Sequence, residues 1–355
     1  MSVAETKSTW FVGLDVHTKT IAICVVDAIG NVVLRETIAS RRLAWREWLD
    51  GRIPEGVEVR FALEALGPSR WVLLELLERE HVAKLVHPYG VKLIVQSKKK
   101  SDRVDSFQLA DLLRLNRLPE SYIATAEERE LRVLVRHRSD LRASMTRCKN
   151  RIHAVLHEHD EHCELTDVFG KGGRRWLARL RFEGGVKLRV GHLLEQIDQL
   201  EVQLKAADEA IAERVKDDSL LELISTIPGV GPTLGAIIRA EAGDIRRFKT
   251  AHQFAAYTGL TPATWESGGN RTTGGVTKQG SRLLRFALVE AALHLCRWSG
   301  EVKERYTKLR RRIKRHKARV AIARRLAVTI WHMAKTGEVF RYQTRPEKSK
   351  EKAVA

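Results

Sequence analysis

The sequence predicts an α/β domain followed by all-helical regions. Apolar runs of strand length alternate with amphipathic helical stretches in residues 1–120, and long heptad patterns occupy residues 121–218. Residues 219–340 combine short helical patterns with a strongly basic composition, and residues 341–355 are polar and charged. We therefore expect a mixed-sheet domain, a coiled-coil middle region, a helical C-terminal domain and a disordered tail, with these boundaries.

The first domain begins with strands. The run "WFVGLDVHTKTIAICVVD" gives two strands around a polar break at residues 17–20, and "GNVVLRETI" follows the Gly30-Asn31 turn as a third. A helix "RLAWREWL", a strand "VEVRFALEA", a helix "SRWVLLELLERE" and a strand "VAKLVHP" come next. Three meander strands, then helix, strand, helix and strand, is the element order of an RNase H-like fold, a mixed sheet flanked by helices.

Heptad spacing dominates the middle region. Apolar residues recur at alternating intervals of three and four, which predicts two helices long enough to form a coiled coil. The "FGKGGRRWLARLRFEGG" stretch separates them, so they either fold back as an antiparallel hairpin or pair with another subunit. The seam positions are Leu131, Leu134, Arg138, Leu141, Met145, Cys148, Ile152 and Val155, then Leu193, Ile197, Leu200, Leu204, Ala207 and Ile211. The charged residue at position 138 predicts packing unlike a plain two-stranded coil.

The net charge of +19 is concentrated in one region. Residues 219–355 contain 27 basic and 10 acidic side chains, a net +17, whereas residues 1–120 carry +2 and residues 121–218 are neutral in total. Binding to a phosphate backbone requires such a concentrated excess, because protein cations replace the counterions of the polymer. We expect nucleic acid as the partner, and contact with a ribosome-like or other anionic surface is the alternative.

Four further classes of protein are not expected: membrane-spanning proteins, secreted proteins, disulfide scaffolds and zinc ribbons. No run of eighteen or more residues is apolar, so we expect no membrane span. The first residues lack a basic region followed by an apolar stretch, which predicts no secretory signal and favours the cytoplasm or the bacterial nucleoid. Cys24, Cys148, Cys163 and Cys296 are far apart and form no CxxC pair, so neither a disulfide scaffold nor a zinc ribbon is expected.

The C-terminal domain contains two patterns typical of nucleic-acid binding. "PGVG" at residues 228–231 lies between two apolar helical stretches, as in a helix-hairpin-helix; a tight turn between core helices is the alternative. Nine of the sixteen residues from 310 to 325 are Lys or Arg, with no acid among them. The candidate nucleic-acid contacts are Gly229, Gly231, Arg271, Lys278, Arg282, Arg285, Arg311, Arg312, Lys314 and Arg315.

Four acids form a candidate metal site. Asp15 and Glu64 each end a predicted strand, and Asp102 and Asp105 share one face of a helix at i, i+3 spacing. Carboxylates gathered at one sheet end are costly without a cation, and oxygen ligands favour Mg²⁺ or Mn²⁺. Two ions about 4 Å apart are the usual arrangement for phosphoryl transfer. Individually, each acid has a simpler interpretation as a turn residue, a helix cap or a charge favoured by the helix dipole.

Asp111 and a histidine cluster are two other places where metal binding is conceivable but not expected. Asp111, one and a half turns beyond Asp105, is expected to face solvent. The cluster "HAVLHEHDEHC", which contains His153, His157 and Cys163, suggests zinc, but its place at the end of a predicted coiled-coil helix favours a solvated tip.

Long motifs give this sequence a family resemblance. The motifs "GLDVHTKTI", "LEALG", "SDRVDSFQLADLLR", "TIPGVGPTLGAIIRAEAGDIRRF", "YTGLTPATWESGG" and "GGVTKQGSRLLRFALVEAA" resemble the DEDD transposases of the insertion sequence 110 family, also called bridge-RNA-guided recombinases. The resemblance implies a RuvC-like domain whose metal-binding acids fall on Asp15, Glu64, Asp102 and Asp105. It also implies a C-terminal transposase domain whose catalytic serine falls on Ser267. One mild departure is Ser106, where alanine commonly follows the last acid.

The same resemblance implies an activity and partners. Such enzymes excise and insert their own double-stranded DNA at donor and target sites that a structured bridge RNA selects. They assemble as dimers that pair into tetramers, in which the acids of one subunit and the serine of another form a composite site. The heptad patterns are compatible with an assembly role.

The expected chemistry divides between the serine and the acids. The Ser267 Oγ would attack a DNA phosphate and form a covalent phosphoserine link, which conserves the bond energy for resealing. Gly268 and Gly269 would let backbone approach a bulky substrate. Two alternatives remain: a RuvC-like junction nuclease in which metal-activated water attacks and the serine only fills a loop, and a non-catalytic architectural protein whose acids are structural.

Overall fold

The computed structural model describes residues 8–94, 102–267 and 269–341. The chain forms two compact units, Met1–Ile123 and Ala124–Ala355. The predicted boundary between residues 218 and 219 lies inside the second unit, and the three-domain division stays a prediction. The predicted disorder of the tail falls almost wholly outside the described residues.

The first unit is built on a mixed five-stranded sheet. Its strands are β1 (Thr9–Val16), β2 (Thr20–Val26), β3 (Val32–Ala39), β4 (Glu58–Glu64) and β5 (Val82–Val86). They stand in the order β3-β2-β1-β4-β5. β1 pairs antiparallel with β2 and β2 with β3, whereas β4 pairs parallel with β1 and β5 parallel with β4. All five strands were predicted from the sequence, in their chain order.

Helices cover this sheet because parallel strands need crossover connections. The helices are α1 (Arg42–Arg52), α2 (Arg70–Glu78), α3 (Pro88–Ile94) and α4 (Asp102–Arg114). Successive side chains of β1 point to opposite faces. Leu14 packs with Trp45 of α1 and Leu76 of α2 in one core, and Phe11 packs with Leu109 of α4 in another. The fold class predicted for this unit, a mixed α/β sheet, is confirmed.

Helix α4 lies directly on the central strand at Gly13. A Cβ atom on this glycine would lie 1.9 Å from the Ser106 carbonyl oxygen and 2.6 Å from the Ala110 nitrogen. These are backbone atoms, so a side chain could not be accommodated without moving the helix. Ser106 itself is buried, which explains why only a small residue fits after Asp105.

The second unit begins with two long helices that pack antiparallel within one chain. The helices are α5 (Ala126–Glu158), α6 (Lys171–Leu177) and α7 (Gly184–Arg214). Glu130 near the start of α5 pairs with Arg214 at the end of α7, and the Cys148 thiol contacts the Gln196 side chain at mid-length. Of the two arrangements left open by the sequence, the structure has the hairpin. Coiled-coil geometry in the strict sense stays a prediction.

The hairpin contains two separate apolar cores. Near its base, Leu131 and Ile211 join the core of the C-terminal helices. Farther along, Met145 and Ile197 belong to a second core. Arg138 interrupts the apolar seam, and its guanidinium is paired with a carboxylate on the opposite helix, that of Asp208. The predicted departure from a plain apolar seam is therefore an interhelical ion pair.

The rest of the second unit contains helices and one β-hairpin. The helices are α8 (Ser219–Ser225), α9 (Pro232–Ala242), α10 (Ala251–Tyr257), α11 (Arg282–Trp298), α12 (Gly300–Arg310) and α13 (Arg315–Thr336), with a 3₁₀ turn at Ile245–Arg247. Strands β6 (Pro262–Ser267) and β7 (Asn270–Val276) form a two-stranded antiparallel sheet. The expectation of an all-helical C-terminal domain was wrong here, because glycines at positions 268, 269, 274 and 275 gave this stretch the composition of a loop.

A buried carboxylate joins four helices of the second unit. Glu241 of α9 is 2% exposed and accepts two hydrogen bonds from the Arg136 guanidinium of α5, at 2.7 and 3.0 Å. The backbone carbonyl of Glu241 accepts a hydrogen bond from the Tyr257 hydroxyl of α10. Its carboxylate also forms a hydrogen bond with the side chain of Ser281, at the start of α11. Burial acts to raise the pKa of Glu241, but these bonds and the nearby cations outweigh it, so the pKa lies below its ordinary value.

Replacing Gly13 by alanine should destabilise the first unit. The added methyl group would collide with the backbone of α4, and overpacking of this kind costs roughly 1–3 kcal/mol. Gly51 is the matched control, since a Cβ there meets nothing within 4 Å and the residue lies in helix α1. Gly51→Ala should stabilise by about 0.5–1 kcal/mol. Urea unfolding measures both, and equal effects of the two substitutions would contradict the packing argument.

Replacing Glu241 by glutamine should weaken the second unit at neutral pH. A carboxylate with a lowered folded-state pKa contributes stability above its unfolded pKa, and this contribution is lost as pH falls through the folded pKa. Glu241→Gln should therefore cost roughly 1–3 kcal/mol at pH 7 and progressively less below about pH 4. Urea unfolding over a pH series measures the difference. The exposed Glu222→Gln substitution on α8 should show no such convergence.

Candidate active site

Two of the predicted acids end neighbouring strands at one edge of the central sheet. β1 and β4 are parallel, with Leu14 opposite Leu63, so Asp15 and Glu64 each follow at the same level. Both leucines belong to the core on the α1 and α2 face. Strand alternation therefore directs the following residues to the face that α4 covers.

The first turn of α4 brings two more acids to that face. Asp102 and Asp105 are its first-turn acidic residues. The Nε2 atom of His17 lies 3.1 Å from Asp15 Oδ2 and 3.4 Å from Asp102 Oδ1. One ligand atom from each of these three residues lies within 4.8 Å of the others. The structure thus brings Asp15 and Asp102 together across the contact between β1 and α4.

The other two acids lie outside this group of three. Asp105 is half-buried and close enough that its charge affects Asp15. Glu64 is half-buried at the end of β4 and has a further interaction of its own. Of the four carboxylates predicted to converge at one sheet end, the structure places Asp15 and Asp102 in the group of three, and the metal-binding roles of all four stay predictions.

Asp15 is the buried acid of this group, and its charged form is destabilised by its surroundings. Its residue surface is only 6% exposed. Burial is the largest influence and raises the pKa of its carboxyl; the charges of Asp102 and Asp105 raise it further, while His17 lowers it, and the net pKa lies above the ordinary value. A buried carboxylate facing other acids favours a cation beside it, which is the electrostatic requirement for a metal site.

His17 was not among the predicted site residues. In the sequence it belongs to the polar break after the first strand, yet the structure places its ring between two carboxylates. The signal was the "DVH" spacing, since residues two apart at a strand end share a face. An imidazole nitrogen beside carboxylate oxygens could also serve as a metal ligand; because imidazole suits transition metals, this donor favours Mn²⁺ over Mg²⁺.

Asp111 lies on α4, like Asp102 and Asp105, but its carboxylate forms an ion pair within the helix. It was expected to face solvent, and its side chain is 32% exposed. Its carboxylate accepts hydrogen bonds from the Arg114 guanidinium at 2.6 and 3.0 Å. Among the described residues, it is not part of the group that could hold a metal.

Ser267 lies at the end of strand β6. It is paired with Asn270 across the hairpin, and Gly269 has a φ of +80°. The loop expected from the sequence is thus an ordered hairpin. The side chains of Ser267 and Arg271 lie outside what the structure describes, as does residue 268. The roles of Ser267 and Arg271, and the close approach of the backbone at Gly268 and Gly269 to a substrate, therefore stay predictions.

At the base of this hairpin, two segments of backbone pack closely against each other at two glycines. A Cβ on Gly259 would lie 2.2 Å from the Gln279 carbonyl oxygen, and one on Gly280 would lie 2.2 Å from the Tyr257 carbonyl oxygen. Lys278 has a φ of +55° and donates its backbone N–H to the Gly259 carbonyl. The predicted phosphate contact Lys278 therefore belongs to a rigid turn that supports the hairpin.

The remaining candidate nucleic-acid contacts occupy three places. Gly231 caps α9, whereas Gly229 has a φ of +85° and lies so close to His294 that a Cβ would be 2.2 Å from that side chain. Internal packing therefore already requires glycine at position 229. Arg282 and Arg285 begin α11. The basic residues at the junction of α12 and α13 are exposed and form no ion pair with any described residue; they are Arg311, Arg312 and Lys314, with Arg315 as the first residue of α13.

The histidine cluster packs against aromatic rings. The His153 ring lies edge-on to Phe169 and the His159 ring edge-on to Phe182, each with ring centroids 5.3 Å apart. His157 and His162 lie edge to face at 6.3 Å. These contacts give two of the histidines a packing role at the end of α5.

Comparison with known protein families supplies the identity. The family described as "Transposase IS116/IS110/IS902 family" matches residues 221–307, and a DEDD transposase family of the IS110 group matches residues 12–160. The chain belongs to this transposase family. The four acids fall inside the second matched range and Ser267 inside the first. This IS110-family protein is accordingly an enzyme, a DNA transposase.

Individual transposases are similar over most of the chain. The transposase for insertion sequence element IS1328 of Yersinia enterocolitica is 25% identical over 351 residues, covering 93% of this chain and 98% of the relative. That of element IS1111A of Coxiella burnetii is 26% identical over 350 residues, covering 93% and 90%. A "probable family 20 transposase" of Pseudomonas aeruginosa is 26% identical over 333 residues, covering 90% and 95%.

Among the described residues, none of the helices of this transposase combines the length and apolar character needed to cross a bilayer.

Replacing Asp15 by asparagine should abolish divalent-metal binding. The native protein should gain stability from Mn²⁺ or Mg²⁺, by about 2.7 kcal/mol at a hundred times the dissociation constant, whereas Asp15→Asn should gain none. Thermal unfolding with and without metal measures the difference, with calorimetric titration as a second readout. Asp111→Asn on α4, an acid outside the group of possible metal ligands, is the control and should keep the full gain. A gain of equal size in Asp15→Asn would contradict the site.

Proposed function

We propose that this IS110-family transposase cuts and rejoins double-stranded DNA by combining a divalent-metal site in its first unit with a serine nucleophile in its second. The observation that carries the proposal is the meeting of Asp15 and Asp102 beside buried strand β1. The strand order β3-β2-β1-β4-β5, with acids at the ends of β1 and β4, supports an RNase H-like, RuvC-like fold for this unit.

The residues present fit a hard divalent cation. Asp15 and Asp102 supply carboxylate oxygens, and Glu64 and Asp105 lie on the same side of the sheet. Burial and the neighbouring acids raise the pKa of Asp15, and a cation beside this carboxylate would lower it again. When bound, Mg²⁺ or Mn²⁺, as one ion or two, would polarise the phosphate and stabilise charge on the leaving oxygen. The acids would hold and orient the ion, and the close approach of α4 to the β1 backbone at Gly13 would keep Asp102 beside Asp15.

The nucleophile in this proposal is Ser267. Its Oγ forms a bond to phosphorus while the bond from phosphorus to one DNA oxygen breaks. The serine proton passes to solvent or a nearby base, and the leaving oxygen takes up a proton. The reverse attack by a strand-end hydroxyl restores the phosphodiester and frees the serine, so no external energy source is needed. The position of Ser267 at the end of an exposed strand with a rigid base supports this role.

Nucleic-acid recognition in the proposal is divided among several surfaces. The exposed cations Arg311, Arg312, Lys314 and Arg315, together with the start of α11, would contact DNA phosphates independently of sequence. The turn before α9 would act as a helix-hairpin-helix. Base pairing with a structured bridge RNA would select donor and target. Dimers that pair into tetramers, with the α5/α7 hairpin as a coiled coil, would let Ser267 of one subunit meet the acids of another.

Replacing Ser267 by alanine separates this mechanism from a metal-only nuclease. Recombination and any covalent protein–DNA adduct should be lost, by about a thousandfold or more, because the nucleophile is removed. The measurement is strand joining on a plasmid carrying the element ends, with denaturing gels for the adduct. Thr273→Ala, an exposed hydroxyl on the opposite strand of the same hairpin, should keep activity. Cleavage at an unreduced rate in Ser267→Ala would establish water as the nucleophile instead.

A further inference from the structure

A basic groove runs along one side of the hairpin formed by α5 and α7. Two adjoining cavities share Arg151 and Gln196 and make it continuous from residue 185 to residue 203 of α7. We define the arginine groove by Arg147 and Arg151 of α5 with Arg189, His192, Gln199 and Gln203 of α7. We propose that this groove binds the phosphate backbone of a nucleic acid, as a site separate from the basic C-terminal helices.

The three arginines of the groove are available for an external anion. None of them forms an ion pair with a described residue, and all three are exposed. Other arginines of the same helices are paired internally: Arg138 with Asp208 and Arg214 with Glu130. The groove arginines are thus not needed for the ion pairs that hold the hairpin together.

The groove carries positive charge without acids in its lining. Among the described residues, the lining of both cavities contains no aspartate or glutamate. The acids Asp198 and Glu201 of α7 instead pair with Arg174 of α6. Residues 121–218 are neutral in total, so the charge sum of this region does not reveal the local excess of cations in the groove.

The shape and chemistry of the groove favour a phosphate backbone over a protein partner. The stretch of α7 from residue 185 to residue 203 is about 27 Å long at the helical rise, which is enough for several consecutive phosphates. Arg147, Arg151 and Arg189 can each form charge-assisted bonds to phosphate oxygens, and the Gln199 and Gln203 amides can donate to phosphate or sugar oxygens. The described lining contains no Phe, Tyr or Trp, whereas protein interfaces are usually enriched in these residues.

The test is the salt dependence of nucleic-acid binding by the full-length protein. The variant is Arg147→Gln, Arg151→Gln and Arg189→Gln together, measured in EDTA so that binding is independent of the proposed metal and serine chemistry. For the nucleic acid that occupies the groove, the slope of log affinity against log salt should fall by roughly two to three, with a loss of roughly a hundredfold near 0.1 M salt. Separate titrations use a duplex DNA and a stem-loop RNA of equal length.

The matched control removes the same charge elsewhere. Arg142, Lys187 and Arg179 are exposed and lie outside the groove lining, and their glutamine variants should leave the slope within about one of the native value. A change with RNA alone, or with DNA alone, supports the proposal and identifies the occupant. An unchanged slope with both probes overturns it, as does a shift in oligomeric mass at unchanged slope, which would make the groove a protein contact. Circular dichroism and thermal unfolding verify that both variants are folded.

Discussion

The contact between α4 and the backbone of β1 at Gly13 is the constraint on which the proposed metal site depends. Asp15 is fixed by the sheet, whereas Asp102 belongs to a helix that packs across that sheet. Only the absence of a side chain at position 13 lets the helix approach closely enough for His17 to reach both carboxylates. The geometry of the acids is therefore a result of packing, and a substitution that contacts no acid can disturb it.

Charge acts differently in the two units. In the first, a buried carboxylate is left without full compensation, and this deficit is what favours a cation. In the second, the buried Glu241 is fully compensated by Arg136 and by hydrogen bonds, so it contributes to the packing of four helices. Burial alone does not distinguish a functional acid from a structural one; the balance of its neighbours does.

The sequence predicted the first unit well because its signals are local. Strand alternation, turn residues and helix periodicity identify all five strands, and strand ends identify Asp15 and Glu64. The β6 and β7 hairpin was missed because its pairing is stabilised by cross-strand contacts, such as the Trp265 ring over Gly274, that composition does not reveal. His17 was missed for a similar reason, since its partner Asp102 is distant in sequence. The arginine groove was hidden because opposite charges cancel in a sum over residues.

The two cores of the α5/α7 hairpin give it a modular character. The base core, with Leu131 and Ile211, belongs to the C-terminal helices, whereas the core farther out, with Met145 and Ile197, is closed by α6 and its flanking segments. Because the helices are antiparallel, adding or removing matched turns between these cores would change the reach of the outer end without altering either core. Relatives of different length could thus vary the span of this arm while keeping the rest of the protein unchanged.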